Sequence, residues 1–160
     1  MTGIKRTNSV HASSDGDWKE IASIRLSSEH GHERLAMELV AEAVKDQLPP
    51  ARLEQLKTAV AEAVLNAIEH GTQAQGDESV FVQVLAGPNR ICVRIIDLGE
   101  GGPINPPEKP DIDRKLAGEQ SPRGWGLFLI ENMVDELNIA NEEGYHCLEL
   151  VMSVEDTEDE

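Results

Sequence analysis

Glu62, Asn66, Glu69 and His70 put two acids, an amide and an imidazole into one short run, Glu62-Ala63-Val64-Leu65-Asn66-Ala67-Ile68-Glu69-His70-Gly71. At about 100° per residue, Glu62 and Asn66 fall one helical turn apart, with Glu69 and His70 a further turn along. Alone, such a stripe would read as a solvated helix face. Two later segments shift the weight towards chemistry. Asp97-Leu98-Gly99-Glu100-Gly101-Gly102 places a carboxylate at the end of the β-branched run Ile91-Cys92-Val93-Arg94-Ile95-Ile96 and follows it with glycines. This suits an acid fixed in a pocket where backbone can approach a ligand closely. In Arg123-Gly124-Trp125-Gly126-Leu127-Phe128-Leu129-Ile130 a glycine pair opens an apolar helix, and free N–H groups at a helix N-terminus bind phosphate oxygens. Taken singly, each of these two segments also fits ordinary turn chemistry.

The elements that must position these groups follow from hydrophobic period and punctuation. Trp18 to Leu26 reads as a first strand. A helix capped by Ser28 carries Leu35, Leu39, Val40, Ala43, Val44 and Leu48 until Pro49-Pro50 stops it. Leu53, Leu56, Val60, Ala63, Val64 and Ala67 recur at three-and-four spacing, which predicts an amphipathic helix from about Arg52 to a C-cap near Gly71. Ser79–Leu85 and Arg90–Asp97 read as strands joined by Ala86-Gly87-Pro88-Asn89 into an antiparallel hairpin. A short helix is expected from Gly126 to about Val134, followed by strands near Leu137–Ala140 and His146–Val154. The pattern is α+β: a two-layer sandwich with helices on one face of a mixed, mostly antiparallel sheet. Residues 102–122 hold five of the eight prolines with little apolar period, and so long a loop in a compact domain is commonly functional or disordered.

In this order, the three polar segments resemble the N, G1 and G2 boxes of the GHKL ATPase superfamily, which spans gyrase-type ATPases, histidine kinases and small anti-sigma-factor kinases. The size of the chain and the wording of the boxes are most similar to the anti-sigma-factor serine/threonine kinases of bacterial partner-switching pathways, over about Trp18 to Val154. The resemblance implies a GHKL (Bergerat) fold that uses ATP and Mg²⁺, with 102–122 as the ATP lid. It implies that Glu62 is the general base for the attacking hydroxyl and that Asn66 offers Mg²⁺ a hard oxygen ligand. Asp97 would accept from the adenine amino group while Gly99 and Gly101 let the chain pass the base. Gly124 and Gly126 would present amides to the phosphates, with Leu127 beside them in the nucleotide site. Arg123 would neutralise phosphate charge or contact the protein substrate. The family pattern further implies a STAS-type anti-anti-sigma protein as phosphoacceptor, a sigma factor as sequestered partner, and a homodimer. Glu62 is the discriminating residue, because histidine-kinase ATP domains usually carry a different polar group there. Two features depart from the pattern. Gly144-Tyr145-His146-Cys147 lacks the threonine that related domains often place near adenine, and Trp125 is bulky between its two glycines.

Composition narrows the partners. Fourteen basic against 30 acidic residues give a formal charge of −16, which argues against a direct nucleic-acid surface. Aromatics at 3% leave no base-stacking platform. Without a signal peptide or long apolar run, Cys92 and Cys147 read as reduced residues of a cytoplasmic protein that does not span a membrane. Residues 1–17 are expected to be loose, 18–154 to form the ATP-binding domain, and 155–160 to be an acidic tail. His30 and His32, with no third ligand nearby, read as surface residues rather than a metal site.

Several readings are excluded or left open. No G-x-x-x-x-G-K-[ST] occurs, and Gly124-Trp125-Gly126 lacks the third glycine and preceding strand of a dinucleotide fingerprint. The open alternatives are a non-catalytic ATP-dependent binding module, a switch kinase that controls a phosphatase, and a stand-alone histidine-kinase-like ATP-binding domain.

Overall fold

The structure is a computed structural model and describes residues 18–27, 29, 31–70, 80–97, 122–142 and 145–154. In chain order these form β1 (Lys19–Leu26), α1 (Glu33–Val44), α2 (Pro50–His70), β2 (Val80–Ala86), β3 (Arg90–Asp97), α3 (Pro122–Met133), β4 (Glu136–Glu142) and β5 (Tyr145–Ser153). The strands lie in the order β1-β2-β3-β5-β4. All four pairings are antiparallel, so the described sheet shows only the antiparallel part of the expected arrangement. The expected N-terminal segment, residues 102–121 of the expected lid and the acidic tail lie outside the described residues.

Side-chain alternation decides which way the sheet faces. Val82, Val84, Val93, Ile95, Leu148 and Leu150 point to the helices and share one core with Val40, Val44, Leu56, Val60, Val64 and Ile130. Each such buried aliphatic side chain contributes about 1.5–3 kcal/mol, and together they fix the helices on one face. The intervening residues point the other way. Leu85, Cys92, Val151 and Trp18 form a small second cluster there; Cys92 and Cys147 are both buried and in the thiol form. On the same outer face Arg94 Nε stands 3.4 Å from Glu149 Oε2. Asn138 Nδ2 donates to Glu149 Oε1 at 3.3 Å. Arg94 Nη1 donates to Gln83 Oε1 at 3.0 Å. Burial pushes the Glu149 carboxyl up to about 7, against the opposing pull of Arg94 and Asn138.

Three helix starts differ from their sequence reading. Pro50 opens α2 rather than only closing what precedes it, because a first helical position needs no N–H and a proline φ suits it. Helix α1 begins at Glu33 with His32 at the N-cap and no side-chain cap, after Gly31 turns the chain at φ 104°; Ser28 lies outside the described residues. Helix α3 begins at Pro122, one turn before Gly126.

A polar clasp sets the relative direction of two helices. Arg52 in the first turn of α2 holds Asp135, just after α3, at 2.6 Å. The same Asp135 oxygen accepts from the Ser153 N–H at 2.6 Å, and the Asp135 N–H donates to Val151 at 2.9 Å. The start of α2 therefore meets the end of α3, the start of β4 and the end of β5. Consequently α2 and α3 run antiparallel, and the ends that carry the candidate residues gather at the opposite edge. Among the described residues, no helix is long and apolar enough to cross a membrane.

Candidate functional site

One anchor, the Asp135 carboxylate, is common to two of the elements that carry the polar groups. From Arg52 to Asn66, α2 rises about 21 Å at 1.5 Å per residue. From Ser153 back to His146, β5 runs about 23 Å at 3.3 Å per residue. Arg52 and Ser153 are tied to the same carboxylate, so both lengths are counted from one anchor. Asp97, the last residue of β3, pairs across with His146, which makes the acid and the imidazole neighbours at that end of the sheet.

The α2 stripe is not a solvated face. Leu56, Val60, Ala63 and Val64 are fully buried on one side. Asn66 is nevertheless only 8% exposed and Glu62 is half-buried, because α3 covers them. Glu69 is exposed, and His70 is the last residue of the helix. A Cβ on Gly126 would lie 2.7 Å from Glu62 Oε2 and 3.4 Å from both polar atoms of the Asn66 amide. Only a glycine lets α3 pass this close while the carboxylate keeps its place. Burial, and then the charge of Glu69, raise the Glu62 carboxyl above its ordinary range, which strengthens its ionised form as a base.

The earlier start of α3 reassigns its glycines. A helix leaves the N–H groups of its first turn without intrahelical partners. Arg123 and Gly124 lie in that turn, whereas Gly126 is the fifth residue of the helix. Gly124 therefore has a first-turn amide, while Gly126 serves close approach. Leu127 is 2% exposed and sits in the main core, where its side chain anchors α3. Gly99 and Gly101 lie outside the described residues.

Two observations test whether these residues fit a magnesium–nucleotide ligand. The Asn66 Nδ2 is buried without a hydrogen-bond partner, and a buried amide of this kind costs about 1–3 kcal/mol unless an acceptor arrives. Phosphate oxygens are such acceptors. The oxygen donors of Glu62 and Asn66 are hard, which is the donor type that magnesium takes. Few protein ligands beside substrate phosphates and water is the usual magnesium arrangement. The residues fit.

Asp97 is 2% exposed and His146 is 7% exposed, and both lie in phase with the core-facing residues of their strands. His146 Nδ1 lies 3.0 Å from Asn141 Oδ1, and Asn141 is its partner on β4. Reading the sequence for motifs missed this row, although His146 falls in step with Leu148, Leu150 and Met152. A polar residue in a core phase was the available signal.

Comparison with known proteins bears on the family and the fold. The Histidine kinase-like ATPase domain family matches residues 26–152. The Serine-protein kinase RsbW of Listeria monocytogenes serotype 4a (strain HCC23) is 31% identical over 96 residues, covering 58% of this chain and 60% of that protein. The aligned part thus spans less than two thirds of that relative. The Anti-sigma F factor of Clostridium beijerinckii is 30% identical over 131 residues, 76% of this chain and 85% of the relative. Among solved structures, the RsbU and RsbW domains of Rv1364c from Mycobacterium tuberculosis superpose with a TM-score of 0.59 at 20% identity, over 82% of this chain and 31% of that one. That likeness concerns the fold.

Proposed function

The chain belongs to the Histidine kinase-like ATPase domain family, and on that premise we propose that it is an ATP-dependent serine/threonine protein kinase acting as an anti-sigma factor. Its substrate is a STAS-type anti-anti-sigma protein, and it holds a sigma factor when that antagonist is phosphorylated and released. The observation that carries this reading is the meeting of Glu62, Asn66 and Gly126. An acid with raised proton affinity stands beside an unpartnered buried amide, under a helix that only glycine brings close enough. The names of the relatives, a serine-protein kinase and an anti-sigma F factor, point the same way.

Magnesium–ATP bound here would supply the γ-phosphoryl group and neutralise its charge. Glu62 would accept the proton of the incoming hydroxyl, and Asn66 would help to hold the magnesium–phosphate group, its amide oxygen serving as a hard ligand and its N–H as a donor. Gly124 offers a first-turn amide to the phosphates, and Arg123, in the same turn, adds positive charge. Asp97 accepts from the amino group of adenine and repels a carbonyl in that place, favouring ATP over GTP.

The test uses γ-labelled ATP with STAS proteins from the same genome. Acid-stable label on Ser or Thr of one of them is expected, with little on this chain. Glu62→Gln should keep nucleotide affinity within a few-fold yet lower transfer about 10²-fold. Acid-labile label, or a Glu62→Gln protein that transfers at the wild-type rate, would sink the reading.

A further inference from the structure

Glu69 breaks two local rules at once. It is the penultimate residue of α2, where the unpaired carbonyls and the negative end of the helix dipole favour a cation over a carboxylate. At about 100° per residue it also falls within about 20° of Glu62, two turns along the same helix face, with Asn66 between them. Like charges so placed repel, and the charge of Glu69 does reach Glu62, where it adds to the effect of burial on that carboxyl. Glu69 is exposed, and among the described residues no cation forms an ion pair with it. The face it extends is built for a ligand. Asn66 is 8% exposed and its Nδ2 has no hydrogen-bond partner, and its amide shares the space beside Gly126 with the Glu62 carboxylate.

We propose that Glu69 is a specificity residue for the protein substrate, pairing with a lysine or arginine side chain that stands within about 10 Å of the phosphoacceptor hydroxyl. This rests on the kinase reading above and names a feature of the substrate that the reading leaves open. The argument is one of charge and reach. Phosphate oxygens beside Asn66 and the Glu62 carboxylate are already negative, so a further carboxylate on that face repels the nucleotide. Asn66 is assigned to the magnesium–phosphate group, which leaves the charge of Glu69 uncompensated until a second cation arrives. The hydroxyl must come to Glu62 to lose its proton. Seven residues of helix separate Glu62 from Glu69, a rise of about 10 Å, which an extended substrate segment spans in about three residues. A basic side chain carried in with the hydroxyl therefore meets Glu69. An exposed ion pair adds little to the stability of a folded chain. Across an encounter surface the same charge selects a partner, because it attracts a basic approach and rejects an acidic one.

The experiment takes the STAS protein that accepts label from the wild-type chain. It measures kcat and KM for that protein, and the ATP dissociation constant with Mg²⁺, in the wild type and in Glu69→Gln. Glutamine keeps the size at an exposed helical position, so the variant should fold as the wild type does. KM for the STAS protein should rise about fivefold at low salt, with kcat and ATP affinity within about twofold of wild type. The gap in KM should narrow as salt screens the charge. Alanine replacement of each lysine and arginine near the labelled Ser or Thr should find one whose loss raises KM with the wild type but not with Glu69→Gln. Glu69→Lys, paired with glutamate at that substrate position, should recover part of the lost affinity. An unchanged KM in Glu69→Gln, or a raised KM that couples to no basic residue of the substrate, would overturn the proposal and leave the kinase reading standing. Weaker ATP binding, or a shifted Mg²⁺ requirement, in place of a raised KM would do the same. Transfer from the wild type to no STAS protein would overturn both.

Discussion

Adding a methyl group at Gly126 should disturb Glu62 before anything else. The new carbon would sit 2.7 Å from Glu62 Oε2 but 3.4 Å from the Asn66 amide, and a carboxylate at the end of a flexible side chain moves more easily than backbone. Gly126→Ala is therefore expected to fold, helped by the roughly 1 kcal/mol preference of a helix interior for alanine. Phosphoryl transfer should fall tenfold or more, with nucleotide affinity reduced by less. Asn66→Ala should show the reverse emphasis, weakening the Mg²⁺-dependent part of ATP binding. Calorimetry with and without Mg²⁺, beside single-turnover transfer, separates the two. If Gly126→Ala leaves transfer intact, the placement of the Glu62 carboxylate does not matter to the chemistry.

Between elements, the clasp at Asp135 carries a separable prediction. Arg52 and Asp135 are 31% and 44% exposed, so their ion pair alone is worth little. The Asp135 carboxylate also accepts the Ser153 N–H, and loss of that bond leaves a backbone donor at the end of β5. Asp135→Ala should destabilise the fold by about 1–2 kcal/mol and Arg52→Ala by about 0.5 kcal/mol, measured by urea denaturation. Equal losses would put the energy in the ion pair instead. This tie also shows where sequence reading stops. The strand Arg90–Asp97 and the long helix were legible because β-branched content and three-and-four spacing are local signals. Helix α3 was placed a turn late, since Pro122 and a glycine pair look like loop punctuation until a neighbouring helix accounts for the close approach. Glu62, Asn66 and Asp97 could be chosen as candidates from spacing. Partners such as Arg52 with Asp135, 83 residues apart, or His146 with Asp97, exist only through the topology.

For the molecule as a whole, the buried acid on the sheet's outer face makes stability depend on pH in the same direction as the raised Glu62 carboxyl in the site. Glu149 is fully buried beside Arg94 and Asn138, and its carboxyl is raised from 4.5 to about 7, chiefly by burial. The folded chain thus holds this proton more tightly than the unfolded chain. The resulting stabilisation is complete below about pH 4.5 and is lost as pH rises through 7, and its upper bound is on the order of 3 kcal/mol. A net charge of −16 adds a broader repulsion with the same sign as carboxylates ionise, so a substitution is needed to separate the two. Glu149→Gln keeps the size and the hydrogen bond with Asn138 while imitating the protonated acid. Urea melts at fixed ionic strength should find the variant close to wild type at pH 5 and more stable by about 1–3 kcal/mol at pH 8. If the two proteins lose stability in parallel between those values, the distributed charge governs the pH response, and the Arg94 ion pair compensates for the burial of Glu149.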